Sequence, residues 1–258
     1  MVIVSLYFFQ PILIFWGLTK SPINYEFVAS PFIYLVIVLI TLLLLIFINK
    51  RIFIDRTEQS IYLASSLVGN TGNLGIPLGI ALFGIESVPY TSIINIGNTL
   101  FIYIFSVYFF ARDQFSIKQA IISIMKIPGI WFALLALIIN YNGITINKHI
   151  YSALEMGAYT SMVIQLLIFG IYLYSVRIKS IPWHLSLHIS FVKHILLPFI
   201  GIFIVLCFTN LNSFVASILI MELMVPLAVN NVNLAALYNC KPFDVAATIL
   251  ISSSLFVM

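Results

Sequence analysis

Apolar runs of about the length needed to cross a bilayer follow one another almost from end to end of this chain. They fall at approximately 2–18, 28–48, 60–83, 90–110, 120–140, 151–173, 185–208, 213–238 and 244–258. The connections between them are too short to hold a soluble domain, so a single membrane domain over 1–258 is expected. Hydrophobic residues are 62% of the chain and charged residues 8%, against about 25% charged in an average soluble domain. A water-soluble core has no use for so much apolar side chain; the solvent these runs require is lipid. The fold class expected is an all-α integral membrane protein of about nine spans. The last run is the shortest, about fifteen residues or roughly 22 Å of helix, against a hydrocarbon core of roughly 30 Å.

Two of the runs are interrupted. Gly69-Asn70-Thr71-Gly72-Asn73-Leu74-Gly75-Ile76-Pro77-Leu78-Gly79 lies in the third, and Pro226-Leu227-Ala228-Val229-Asn230-Asn231-Val232-Asn233 in the eighth. Glycines, prolines and amides at that depth are costly unless they face protein or a water-filled cavity. The third and eighth runs are five apart and so cross in opposite senses. That is the trace of two inverted units, 1–113 and 114–258, with two discontinuous helices crossing near the midplane. In the second unit the break lies in the fourth span, in the first unit in the third. The first repeat therefore reads as N-terminally incomplete, lacking the first of ten helices.

Lys and Arg set the expected orientation. The even-numbered loops carry Lys50, Arg51, Arg56, Arg112, Lys118, Arg177, Lys179 and Lys241, the odd ones only Lys20 and Lys148. The even loops are read as cytoplasmic, with the N-terminus inside and the C-terminus outside, in a bacterial inner (cytoplasmic) membrane. Tyr7, Trp16, Tyr108, Tyr141, Tyr172, Tyr174 and Trp183 fall near span ends, where an interfacial aromatic belt belongs. The net charge of +4 is scattered and gives no basic patch for nucleic acid. Gln10-Pro11 within the first run, and no basic segment before it, argue against a signal peptide. Cys207 and Cys240 make no metal or disulfide motif.

Pro77 is expected to free the backbone oxygen of Asn73, and Pro226 that of Glu222, because proline lacks an N–H and clashes four residues back. Each break then becomes two half-helices with an unwound link. Freed N–H groups and the positive end of a half-helix favour an anion, while freed carbonyls favour a cation. The amides of Asn70, Asn73, Asn230, Asn231 and Asn233 both donate and accept, which suits a carboxylate. Gly72, Gly75 and Gly79 leave space for close backbone approach at the crossing. Glu222 is an acid inside a span and a candidate for coupling to a proton or sodium ion; Gln165 is a second candidate from the sixth span. Glu155 lies nearer the outer surface and reads as a solvated span end. His184 and His188 share a helix face, with His194 nearby, but no third ligand is visible and no metal site is expected. Lys193 is expected to snorkel to the cytoplasmic surface or to draw anions toward an inner vestibule.

Asn70-Thr71-Gly72-Asn73-Leu74-Gly75-Ile76-Pro77-Leu78 resembles the N-T-G-x-x-G-x-P-L pattern in the fourth helix of the auxin efflux carrier family of permeases. Pro226-Leu227-Ala228-Val229-Asn230-Asn231 and Ala235-Ala236-Leu237-Tyr238-Asn239 resemble that family's ninth helix, and Phe9-Gln10-Pro11-Ile12-Leu13-Ile14-Phe15 its second. The resemblance covers essentially the whole chain. It implies ten helices in two inverted repeats, a small organic anion as substrate, and elevator-like alternating access. It also implies that Asn70 is the family's fourth-helix asparagine and that Pro77 and Pro226 are its crossing prolines. The chain departs from the pattern in lacking the first helix and in having Tyr159-Thr160-Ser161-Met162-Val163 where a proline is usual.

The leading expectation is a secondary transporter of small carboxylates, with Asn70, Asn73, Asn230 and Asn231 binding substrate and Gly72, Gly75, Pro77 and Pro226 shaping the crossing. The alternatives are a sodium-coupled symporter on the related fold and a truncated, non-transporting paralogue. An intramembrane enzyme would need a nucleophile–base pair or a metal trio, and no GxSG or HExxH motif is present. No cofactor is expected. The expected partners are the organic anion, H+ or Na+, and membrane lipid, with a homodimer left open.

Overall fold

The computed structural model describes residues 2–20, 23–111, 118, 121, 122, 125–175 and 181–258. Arg112, Arg177, Lys179 and the expected boundary at 113/114 lie outside the described residues. Among those described, each apolar run holds helix and no strand is present. A wide turn at Ser5–Phe9 leads into α1, Gln10–Leu18. It is followed by α2, Tyr25–Ile52; α3, Arg56–Ser65; α4, Thr71–Phe83; and α5, Ile85–Ala111. The rest comprises α6, Pro128–Tyr141; α7, Lys148–Ser175; α8, Trp183–Phe208; α9, Ser213–Met224; α10, Asn230–Leu237; and α11, Pro242–Val257. The third and eighth apolar runs are each divided, into α3–α4 and α9–α10.

Helix α2 shows why the surroundings must be lipid. Tyr34, Ile37, Val38, Leu42 and Leu45 face the interior, yet Phe32, Val36, Leu43 and Phe47 on the outer side are equally apolar and exposed. A helix apolar all round belongs in a membrane or a large core. Its 28 residues make about 42 Å at 1.5 Å per residue, more than a hydrocarbon core of roughly 30 Å. By length and composition α2, α5 and α8 can each cross a membrane. Asn24 caps α2 by accepting from Phe27 N–H at 2.8 Å, Glu26 lies in its first turn, and Lys50 and Arg51 lie in its last. Those charges complement the helix dipole.

The chain alternates direction from run to run, as the contacts between connections make clear. On one side Asn140 donates to Leu18 O at 2.7 Å and Asn212 to Glu26 at 3.1 Å. On the other, Phe53 packs on His184, Cys240 donates to Phe110 O, and Lys241 pairs with Asp55 at 2.7 Å. Odd-numbered loops thus meet odd, and even meet even. Of the aromatic residues expected at span ends, Tyr7, Tyr108, Tyr141, Tyr174 and Trp183 are exposed. Trp16 is not: it is fully buried against Tyr159, with the Lys20 ammonium 5.2 Å over its ring. The face of α1 that carries Trp16 packs inward on α7, so position along the helix did not reveal the side it faced.

Two expectations follow. Gly17 of α1 lies so close to α5 that an added Cβ would sit 2.6 Å from Ser92 Oγ and 2.9 Å from Val88 Cγ1. Gly17→Val should therefore destabilise the fold by about 1–3 kcal/mol through overpacking, measured as a lower Tm in detergent. The Lys241 ammonium holds the Asp55 carboxyl below its ordinary range, chiefly by their hydrogen bond. A carboxylate depressed on folding stabilises above its unfolded pKa and loses that contribution as pH falls through the native value. Because the pair is exposed, the loss is screened to under about 1 kcal/mol. Lys241→Ala should lower Tm by that small amount at pH 7, and the difference should vanish on acidification.

Candidate functional site

The two interrupted helices meet in the middle of the molecule and pair as a minimal β-bridge. Gly69 lies opposite Leu227 in antiparallel sense. Asn70 N–H donates to Pro226 O at 2.8 Å, and Ala228 N–H donates to Val68 O at 2.9 Å. These bonds satisfy backbone groups that neither helix can satisfy within itself, which is obligatory away from water. A Cβ at Gly69 would sit 2.7 Å from Lys193 Nζ and 3.1 Å from Val225 Cγ2, so the ammonium could keep its place only against a glycine.

Each break is held by the helix that follows it. On the first, α5 supplies Asn98, whose Nδ2 donates to Gly69 O and to Thr71 Oγ1, both at 2.9 Å. Asn98 Oδ1 accepts in turn from Tyr34 of α2 at 3.2 Å, and Ser106 donates to Ala64 O at the end of α3 at 2.8 Å. Thr71 donates to Asn95 Oδ1 at 2.8 Å. On the second break, α11 supplies Ser252, whose Oγ accepts from Leu227 N–H at 3.3 Å and lies 2.9 Å from His194 Nε2 of α8. The Lys193 ammonium donates to Leu223 O, in the last turn of α9, at 2.9 Å.

Proline plays different parts in the two breaks. Pro226 lies in the crossing link itself. It drives the preceding residue out of helical geometry, and Val225 accordingly has φ −51° and ψ 144°. Pro77 is not at the crossing. It lies seven residues beyond Asn70, just after a wide turn, Thr71–Gly75, that opens α4. It is the second residue of the α-helical part of α4, Ile76–Phe83, where the wide turn before it accommodates the missing N–H; the break itself falls earlier, at Val68–Asn70. Gly72, Gly75 and Gly79 also lie past the crossing, and the space they leave is filled by side chains. A Cβ at Gly72 would meet Asn95 Oδ1 at 2.9 Å, one at Gly79 would meet Thr91 Cγ2 at 2.8 Å, and one at Gly75 would collide with the Glu222 carboxyl.

Beside the bridge is a polar cavity of about 50 Å³, whose lining includes Gln10, Asn70, Asn73, Asn95, Asn98 and Asn230. That volume holds a few waters or one carboxylate group. Of the asparagines expected at a ligand site, Asn70, Asn73 and Asn230 share this cavity. Asn231 is fully buried with both amide atoms unpartnered and does not line it. The cavity also contains the first residues of both second half-helices, Thr71-Gly72-Asn73 and Asn230, so two positive dipole ends converge on it. Asn70 and Asn95, both lining residues, each also carry a buried Nδ2 atom without a hydrogen-bond partner. No acidic residue among those described lines it.

Glu222 lies outside the cavity, against Gly75, fully buried with neither carboxyl oxygen hydrogen-bonded. Gln165 is buried on α7, its Nε2 spent on Ser161 of its own helix at 2.9 Å and its Oε1 unpartnered. Lys193 does not snorkel; it is fully buried at the crossing. The rings of His184 and His188 lie 4.4 Å apart at a tilt of 49°, whereas His194 turns to Ser252. No group of three ligating side chains suited to a metal exists among the described residues. Asn95, Asn98 and Thr99 escaped the sequence reading, although with Thr91 they form a polar stripe at three- and four-residue spacing in an apolar span. That spacing was the available signal.

The model of the family described as membrane transport protein matches residues 2–126 and 112–258. No curated protein matches the chain. With the family model covering nearly every residue, the chain belongs to this membrane transport protein family, the auxin efflux carrier type whose motifs it resembles.

Proposed function

We propose that this protein is a secondary transporter that moves small organic anions, carboxylates above all, by alternating access. The observation that carries this reading is the donor-rich cavity at the crossing. Two half-helix N-termini open on it and five asparagines line it. The Nδ2 atoms of two of them, Asn70 and Asn95, are buried without a partner, and no acidic side chain among the described residues lines it. A desolvated cluster of donors costs free energy until an acceptor arrives, and a carboxylate brings two acceptor oxygens and the complementary charge.

Asn70, Asn73 and Asn230 are the proposed ligands, with Asn95 added. Asn231, next along α10, is proposed to join them as that half-helix moves. Glu222, buried and unpartnered, is the proposed site of proton coupling; Gln165, already engaged by Ser161, is the weaker candidate. Two inverted units with broken helices crossing between them are the proposed architecture, supported by the antiparallel bridge and by the way each break is held from the helix after it. The even-loop side is read as cytoplasmic from its Lys and Arg residues.

Reconstituted in proteoliposomes, the protein should take up or release at least one member of a panel of small carboxylates. Asn70→Ala should lower that flux by about tenfold or more while leaving Tm within a few degrees, since one charge-assisted hydrogen bond is worth roughly 1.5–3 kcal/mol. Unchanged flux in this variant would remove the cavity from the mechanism. Asn95→Asp keeps the acceptor for Thr71 but adds negative charge. It should abolish the rise in Tm that a bound carboxylate gives, whereas a cationic substrate would bind it more tightly.

A further inference from the structure

A lysine buried near the middle of an apolar helix, with no carboxylate among the described residues at ion-pairing distance, is a costly placement. Lys193 is fully buried on α8, and its described hydrogen bond is to the Leu223 carbonyl. It is not among the ion pairs found between the described residues. Three features of the crossing favour a positive charge at that point. The first is the end of half-helix α9, whose last carbonyls lack helical partners and carry the negative end of the dipole. The second is Glu222, one residue before Leu223, with both carboxyl oxygens buried and unpartnered. The third is the bridge itself: Gly69 leaves room for the ammonium, and a Cβ there would stand 2.7 Å from Nζ. Backbone carbonyls at a half-helix C-terminus together with a carboxyl form the kind of oxygen-rich setting in which discontinuous-helix transporters hold a coupling cation.

We propose that Lys193 is a tethered cation built into the crossing. Its ammonium fills the place between the end of α9, the Gly69 backbone and the Glu222 side of α9 where a free monovalent cation would otherwise be held. The crossing is then electrostatically complete without sodium. The inference rests on the geometry of the crossing and is independent of what is carried.

The test is thermal stability of the purified full chain in detergent, in sodium, potassium, methylammonium or choline chloride at equal ionic strength. The wild-type protein should melt at the same temperature in all four salts. Lys193→Ala should melt several degrees lower in choline and recover most of that loss in sodium or methylammonium, small cations that fit the vacated space. Lys193→Met, which fills the space without charge, should be destabilised and should not be rescued. A wild-type Tm that rises specifically with sodium would overturn the proposal, as would a Lys193→Ala protein indifferent to every cation or a Lys193→Met protein as stable as wild type. If neither variant folds, the wild-type comparison still decides. The readout is stability rather than flux, so failure here leaves the carboxylate reading untouched, and failure of Asn70→Ala to alter transport leaves this one untouched.

Discussion

The bridge between Gly69 and Leu227 is the interaction on which the rest of the structure depends. Lipid offers no partner for a backbone N–H or C=O, so a helix broken within a membrane must find one in protein. Two breaks brought together solve the problem for each other: Asn70 N–H reaches Pro226 O, and Ala228 N–H reaches Val68 O. What those two bonds leave over is taken by side chains from flanking helices. Asn98 takes Gly69 O, Lys193 takes Leu223 O, and Ser252 takes Leu227 N–H. Asn98, Lys193 and Ser252, polar residues deep in this molecule, are explained by that accounting.

The same arrangement produces the site. Breaking a helix creates a new N-terminus, and two broken helices create two, both opening on one cavity beside the bridge. Their C-terminal counterparts, at the ends of α3 and α9, are held differently. Neutral Ser106 takes the Ala64 carbonyl at the end of α3, and charged Lys193 takes Leu223 O at the end of α9. The two halves of the crossing are thus alike in backbone and unlike in electrostatics. Neutral donors gather on the cavity side, while the buried ionisable residues, Lys193 and Glu222, do not line it. On the proposed reading as an anion site, neutral donors suffice to attract the ligand, and no fixed charge among the lining residues opposes its release.

Much of the fold was legible because membrane helices announce themselves by length and apolarity. The helices from α1 to α11 each overlap a run read from the sequence, several of them extending a few residues beyond it, and both breaks lie where glycine, proline and asparagine cluster. The residues around the breaks were legible only in part. Asn70, Asn73 and Asn230 share the cavity, whereas Asn231, adjacent in sequence, is buried outside it. One residue is a 100° turn on a helix, and without knowing where the neighbouring helix lies, sequence cannot say which of two asparagines faces the cavity. Trp16 and Lys193 were misplaced for the same reason. Both were read by depth along a helix, and both are governed by what packs beside it.

The sequence by itself determined the solvent, the helical segments, the two places where helices fail, and the family. Those are properties of composition and of local backbone chemistry, in which proline and glycine act whatever surrounds them. Only the tertiary structure decided that the breaks pair through Gly69 rather than Pro77, that Asn95 and Asn98 belong to the site, and that Lys193 is locked into the crossing. Each is a contact between residues far apart in the chain. Such contacts depend on how helices turn their faces toward one another, and an apolar helix in lipid carries little amphipathic pattern to reveal that turn in advance.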